Sequence, residues 1–235
     1  MQKVHCEWGL NGIEAAKGAA AVVVIVDVLS FSTAVDGAVH RKARIHPFPH
    51  GDEDAARAEA ARVGARLAAS RWAGGQLSLS PASLTKLNPG ERLLLPSPNG
   101  SRLSLACDGA AVLAGCLRNA KAVAAKALKL AEGRDISVIP AGERWPDGSL
   151  RPAIEDLIGA GAIIDAIGFD GEPEAVTARD AFRSAEPHLK QTLLWCRSGR
   201  ELVEREHELD VEIAAELNVS HCAPVLRNGA YEDGA

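Results

Sequence analysis

The chain has 235 residues, enough for one large core or two small ones, and its 47% apolar content is that of a globular protein. A formal charge of −5 without a Lys/Arg block argues against nucleic acid or an anionic membrane as the main partner. No apolar run approaches the roughly 20 residues needed to span a bilayer, and residues 1–8 hold no apolar signal core, so a cytoplasmic location is expected.

Cys6, Cys107, Cys116, Cys196 and Cys222 lie far apart, which reads as reduced thiols rather than a disulfide framework. Neither a CxxC nor an HExxH spacing occurs, so zinc has little support. With one Tyr and four Phe, the core must rest on aliphatic residues and Ala, which suits closely packed layers.

Residues 20–27 are continuously apolar and β-branched up to Asp27, the signature of a strand buried on both faces of a parallel sheet. Capping side chains at Ser30, Ser32 and Thr33 predict a short helix over 34–39, and 44–49 reads as a second strand. A helix is expected from Asp52 to Ser70, with Ala56, Ala60, Val63 and Leu67 in one stripe. Residues 72–89, rich in Ser and Gly, read as a surface excursion.

Short strands follow at 92–95, 110–114 and 135–140. Asn119 is expected to cap a helix over 120–131, and Pro152 to sit in the first turn of one reaching about Ile167. Ser198 and Glu201 have capping-box spacing, 210–217 reads as helical, and 223–226 as a last short strand. The alternation predicts one α/β domain of one or two lobes: a three-layer α/β/α sandwich around a mostly parallel or mixed sheet.

Ligands of such sheets bind beyond the carboxyl ends of strands. Four strand ends here are polar: Asp27 with Ser30, Ser32 and Thr33; Ser97 to Ser101; Arg118 with Asn119; and Glu143 with Arg144. A carboxylate ending a buried strand needs a cation or hydrogen-bond donors, and hard oxygens suit magnesium; the alternative is that Asp27 caps the following turn. The Ser97-Pro98-Asn99-Gly100-Ser101 turn reads equally as a phosphate cradle or a plain turn. Glu155 and Asp156 open a helix, where they either face a cleft or only offset the helix dipole. Arg118, Arg144 and Arg151 are candidate clamps for phosphate or carboxylate.

In order and spacing, these segments resemble the 2-phosphosulfolactate phosphatase family. They are Val26-Asp27-Val28-Leu29 with Ser32-Thr33, the Ser97–Ser101 turn, Gly115 to Asn119, Pro140-Ala141-Gly142-Glu143, Ile154-Glu155-Asp156 with Gly159 to Ala162, and the tail from Cys196 through Asp210 to Leu226. The resemblance implies an α/β/α magnesium-dependent hydrolase acting on phosphate esters of small 2-hydroxy acids, and a homodimer would be in keeping with it. It makes Asp27, Glu155 and Asp156 catalytic and metal-binding candidates. It also makes Asn99, Gly100 and Ser101, with Ser32 and Thr33 beside them, phosphate-binding candidates; the polar strand ends add Ser97, Arg118, Asn119 and Glu143 as substrate-binding candidates. One departure is Ser30, where the family commonly carries Arg: either the substrate's acidic group differs, or Arg118, Arg144 or Arg151 supplies that charge.

Overall fold

The apolar run at 20–26 is the centre of the sheet, fully buried along its length. In the computed structural model, which describes residues 2–73, 76–168 and 171–234, the strands are β1 (Val4–Cys6), β2 (Ala20–Val26), β3 (Arg44–Pro49), β4 (Arg66–Leu67), β5 (Arg92–Ser97), β6 (Ala111–Gly115), β7 (Asp135–Pro140), β8 (Glu143–Arg144), β9 (Leu150–Arg151), β10 (Pro224–Arg227) and β11 (Ala230–Asp233). The helices are α1 (Gly9–Ala16), α2 (Phe31–His40), α3 (Glu53–Val63), α4 (Pro81–Leu84), α5 (Gly100–Ala106), α6 (Ala120–Ala131), α7 (Ile154–Ile167), α8 (Pro173–Ala185), α9 (Leu189–Trp195), α10 (Arg197–Val203) and α11 (Glu208–Ala214).

Nine strands form one sheet in the order β1-β7-β2-β6-β10-β11-β3-β5-β4, and β8 pairs with β9 apart from it. Two parallel blocks, β1-β7-β2-β6 and β3-β5-β4, are joined through the antiparallel β10–β11 hairpin. The expected mixed, mostly parallel sheet in an α/β sandwich is thus observed.

Alternate residues of β2 point to opposite cores. Val22, Val24 and Val26 join α6, α7 and α8 in one cluster; Val23 and Ile25 join α2, α5 and residues of β3 and β5 in the other. Strand twist accumulates across the sheet, so both parallel blocks share this second core, and the loop after β5 reaches the end of β2. A small third cluster seats α3 on the outer face of β5.

Several expectations need correction. Pro152 precedes the Ala153 N-cap of α7 instead of lying in its first turn, and Asn119 stands at the N-cap of α6 without a side-chain cap bond. The helix after Asp52 stops at Val63 because Gly64 turns left-handed (φ 64°), and Leu67 enters β4 instead of extending the stripe. The 72–89 segment, of which 74–75 lie outside the described residues, is not merely a surface excursion: Leu77, Leu84 and Leu87 enter the second core, and Ser80 caps α4. Helix α10 is capped by the Cys196 sulfur, which accepts the Gly199 N–H, so the Ser198 capping box does not form. Among the described residues, no helix is long and apolar enough to cross a membrane.

Candidate active site

Asp27 follows β2, and its carboxylate joins two loops. Oδ1 accepts the Phe31 N–H at 3.1 Å, which is the turn-capping alternative, and Oδ2 accepts the Gly100 N–H at 2.9 Å from the start of α5. Asp156, in the first turn of α7, does the same elsewhere: Oδ1 accepts the Val28 N–H at 2.7 Å and Oδ2 the Gly142 N–H at 2.9 Å. Gly142 has φ +67°, and a Cβ there would lie 2.6 Å from Leu150 Cδ1 and 3.0 Å from the Arg151 carbonyl oxygen, so this turn requires glycine.

Glu155 and Asp156 are both buried, so α7 begins at the site border and both carboxylates are enclosed there. Glu143, half-buried in β8, accepts a hydrogen bond from Asn99 Nδ2 at 2.9 Å on Oε2. Asp27, Glu143, Glu155 and Asp156 therefore converge from β2, β8 and α7, while Asn99 and Gly100 come from the turn after β5.

Their electrostatics follow from burial and mutual charge. Burial, with the neighbouring negative charge of Glu155, holds the Asp27 proton affinity above the ordinary carboxylate value against the pull of its two backbone donors. Burial, then the charges of Asp27 and Glu155, pushes Asp156 well above it. Burial and Asp27 raise Glu143 to about 7. Excess buried negative charge of this kind attracts either protons or a cation.

As a magnesium site the donor set fits in chemistry: all four groups offer hard carboxylate oxygens, and magnesium commonly takes only one or two protein carboxylates and keeps water. Asp27, with Glu155 or Asp156, would hold it. Among the described residues, no three His, Cys, Asp or Glu side chains form a ready metal cage, so water would complete the coordination.

The remaining predicted residues divide clearly. Ser32 Oγ donates to the Ile25 carbonyl at 2.9 Å and accepts the Asp27 N–H at 3.1 Å, while Thr33 Oγ1 donates to the Val28 carbonyl at 2.8 Å. Ser101 Oγ donates to the Leu95 carbonyl at 2.9 Å. These three hydroxyls shape the loops, and their protons are already committed to backbone. Ser97 Oγ is buried without a hydrogen-bond partner among the described residues.

In the Ser97–Ser101 turn, which reads equally as a phosphate cradle or a plain turn, the Gly100 N–H is given to Asp27. Arg118 and Asn119 are placed elsewhere. Arg118 binds Asp36 at 3.0 Å, the Ile213 carbonyl at 3.3 Å and the Glu216 carboxylate, and Asn119 Oδ1 accepts the Cys116 N–H at 2.9 Å. Arg144 donates to the Gly148 carbonyl. Arg151, by contrast, is buried beside Glu143, with Nη2 3.3 Å from Ser198 Oγ.

Sequence reasoning missed Arg71 altogether. Its Nη2 donates to Ser30 Oγ at 2.8 Å and its Nη1 faces Asp210 at 3.4 Å. Nothing in a Ser- and Gly-rich segment 41 positions after Ser30 signalled that approach. A cleft of about 200 Å³ opens beside Asn99 and Glu143, walled by Trp8, Leu10, Leu103 and Leu150 with Arg102 at its lining. Its size suits a small metabolite rather than a larger, drug-sized ligand.

Comparison with known proteins decides the family. The 2-phosphosulpholactate phosphatase profile matches residues 11–229. The chain belongs to this family. A probable 2-phosphosulfolactate phosphatase of Carboxydothermus hydrogenoformans is 29% identical over 211 residues, which cover 86% of this chain and 84% of the relative. The protein is accordingly a phosphatase, a phosphoric monoester hydrolase. The family match spans all four carboxylates, the Asn99 turn, Arg71 and Arg151.

Proposed function

We propose that the enzyme hydrolyses the phosphate ester of a small 2-hydroxy acid, 2-phosphosulfolactate or a close analogue, to the free hydroxy acid and phosphate in a magnesium-dependent reaction. The observation that carries this reading is the meeting of four carboxylates from distant parts of the chain with Asn99 and Gly100 at one sheet end. Bound magnesium, held by Asp27 with Glu155 or Asp156, would neutralise phosphoryl charge and orient the ester.

The protein's own groups do the rest. Asp27 and Asp156 pin the loops after β2, β5 and β7 by their four backbone hydrogen bonds, so the site is held in place before substrate arrives. Asn99 holds the Glu143 carboxylate, and Glu143, with its proton affinity near neutrality, exchanges a proton with the attacking or leaving oxygen. Arg151 offers a guanidinium for the carboxylate or the phosphoryl group. The cleft beside Asn99 takes the acid's carbon skeleton.

The direct test is phosphate release from a panel of 2-hydroxy-acid phosphates with and without magnesium. Release only with magnesium, and preferentially from the 2-phospho acids, is expected. Saturable binding of these esters without release from any of them would make the protein a binder instead.

Glu143 also sets a pH dependence of stability. Its folded-state proton affinity, about 7, lies above the ordinary 4.5, so its contribution to stability is complete below pH 4.5 and is lost as pH rises through 7. Metal-free protein should therefore melt at a lower temperature at pH 8 than at pH 5, and Glu143→Gln should flatten that slope. Magnesium should restore the melting temperature at pH 8 by pairing with the ionised cluster. Identical slopes for wild type and Glu143→Gln would remove Glu143 from this role.

A further inference from the structure

The site's negative charge poses a problem for an anionic substrate. Three buried carboxylates and the half-buried Glu143 repel a phosphate ester, and a divalent ion offsets only part of that. The remaining attraction must come from cations fixed at the site. Arg71 is such a cation, and the structure invests an unusual amount of polar burial in placing it.

Arg71 belongs to a single 3-10 turn, Arg71–Ala73, with 9% of its side chain exposed. Nη1 faces Asp210 Oδ2 at 3.4 Å, and Asp210 is itself almost fully enclosed. The other Asp210 oxygen accepts Ser80 Oγ–H at 2.6 Å and the Ala82 N–H at 3.0 Å, so α4 fixes the carboxylate that fixes the arginine. The adjoining Trp72 packs edge-on against His207, whose Nδ1 lies 3.4 Å from Asp210. A buried pair of this sort adds little net stability against its desolvation cost.

A clamp serving only to fasten this segment would be complete with Asp210 and the Leu79 carbonyl, which Nη2 meets at 3.1 Å. Nη2 instead goes further, to Ser30 Oγ at 2.8 Å, in the loop that leaves Asp27. The guanidinium is close enough that its charge interacts with both Asp27 and Glu143. It thus stands at the carboxylate cluster while anchored from behind.

We propose that Arg71 contacts the phosphoryl oxygens of the substrate and of the product phosphate, and that Asp210 and Ser80 are the residues that position it. The planar fork suits this: two N–H groups on one edge can meet two phosphoryl oxygens, while Asp210 holds the far side. On substrate binding, the Ser30 hydroxyl yields its N–H to the phosphoryl oxygen. The inference rests on the phosphatase reading for its substrate, but its binding arm uses orthophosphate alone and stands apart from turnover.

The test compares wild type with Arg71→Gln, Arg71→Lys and Asp210→Asn, with magnesium present. Orthophosphate affinity is measured by calorimetry, KM and kcat by phosphate release, and folding by thermal melting. For Arg71→Gln, orthophosphate affinity should fall by roughly 10²-fold, and kcat/KM by at least as much. Arg71→Lys, which keeps charge but loses the fork, should fall between the two. Asp210→Asn should raise KM by about 10-fold with kcat little changed, as expected when a positioning contact for ground-state binding is lost.

A purely structural clamp predicts lower melting temperatures with orthophosphate affinity unchanged in the folded protein, and that result overturns the inference. Should Arg71→Gln fail to fold, Ser30→Ala carries the test, since it removes only the hydroxyl holding Nη2. Altered orthophosphate affinity at an unchanged melting temperature supports the role of Arg71, and unaltered affinity overturns it. Wild type that binds orthophosphate but cleaves no ester defeats the proposed function while leaving this inference on its binding arm. Wild type that binds no orthophosphate overturns the inference.

Discussion

Asp27→Asn is expected to reduce magnesium-dependent phosphate release by roughly 10³-fold or more while the protein remains folded. The carboxylate holds two backbone N–H groups, from Phe31 and Gly100, one on each oxygen. Asparagine keeps an acceptor for one of them and turns its own NH2 toward the other. One buried donor is left without a partner, at a cost of about 1–3 kcal/mol. Against this, removing a charge relieves the mutual repulsion with Glu155 and Asp156.

The net change in melting temperature should therefore be a few degrees, at about 2–4 °C per kcal/mol for a chain of this size. The loss of activity has another origin: a neutral amide is a much weaker magnesium ligand than a carboxylate. Phosphate-release assays and a thermal melt on the same preparation separate the two effects. A well-folded, fully active Asp27→Asn enzyme would take Asp27 out of the mechanism.

Gly100→Ala is expected to damage both stability and activity. An added Cβ would lie 2.2 Å from Phe31 Cδ1 and 2.5 Å from its Cγ. Phe31 is fully buried and stacks edge-on with Tyr231 at 6.0 Å, so it has no room to withdraw. Overpacking of this kind costs about 1–3 kcal/mol. Phe31 and Gly100 also supply the two N–H groups that hold Asp27, and forcing them apart spreads that pair of donors. Activity should fall by about 10²-fold even in the fraction that stays folded, since small misplacements of a catalytic group carry penalties of that size. Gly100→Ala with unchanged melting and turnover would show that the α5 approach to Asp27 is not needed.

These two residues illustrate what a sequence can disclose. Asp27 stood out because a carboxylate at the end of a seven-residue apolar strand needs a cation or hydrogen-bond donors there. Glu155 and Asp156 were legible because the helix start places both within one turn, and the structure meets the condition that α7 begin at the site. The Asn99-Gly100 turn was found as a polar strand end, yet its glycine donates to Asp27 instead of standing free. Local sequence cannot say which acceptor will arrive from another strand.

The same limit explains the misplacements. Arg118 looked like a clamp because it follows a strand, but Asp36 is hidden on the inner face of α2 and takes its guanidinium first. Arg71 was invisible because its partners, Ser30 and Asp210, lie 41 and 139 positions away. The helical stripe past Val63 was overextended because Leu67 fits a helix period as well as a short strand, and Gly64 decides between them. Elements without a strong period, such as β11, gave no warning, although Tyr231 from it fills the second core.

The proposed chemistry requires a divalent cation to bind at Asp27 with Glu155 or Asp156, drawn there by the negative charge of the cluster. Calorimetric titration of magnesium into metal-free protein at pH 8 tests this directly, with Asp27→Asn and Asp156→Asn as comparisons. One magnesium per chain in wild type, with affinity lost or greatly weakened in both variants, is the predicted result. Equal magnesium binding by wild type and both variants, or none by wild type even with orthophosphate present, would contradict it.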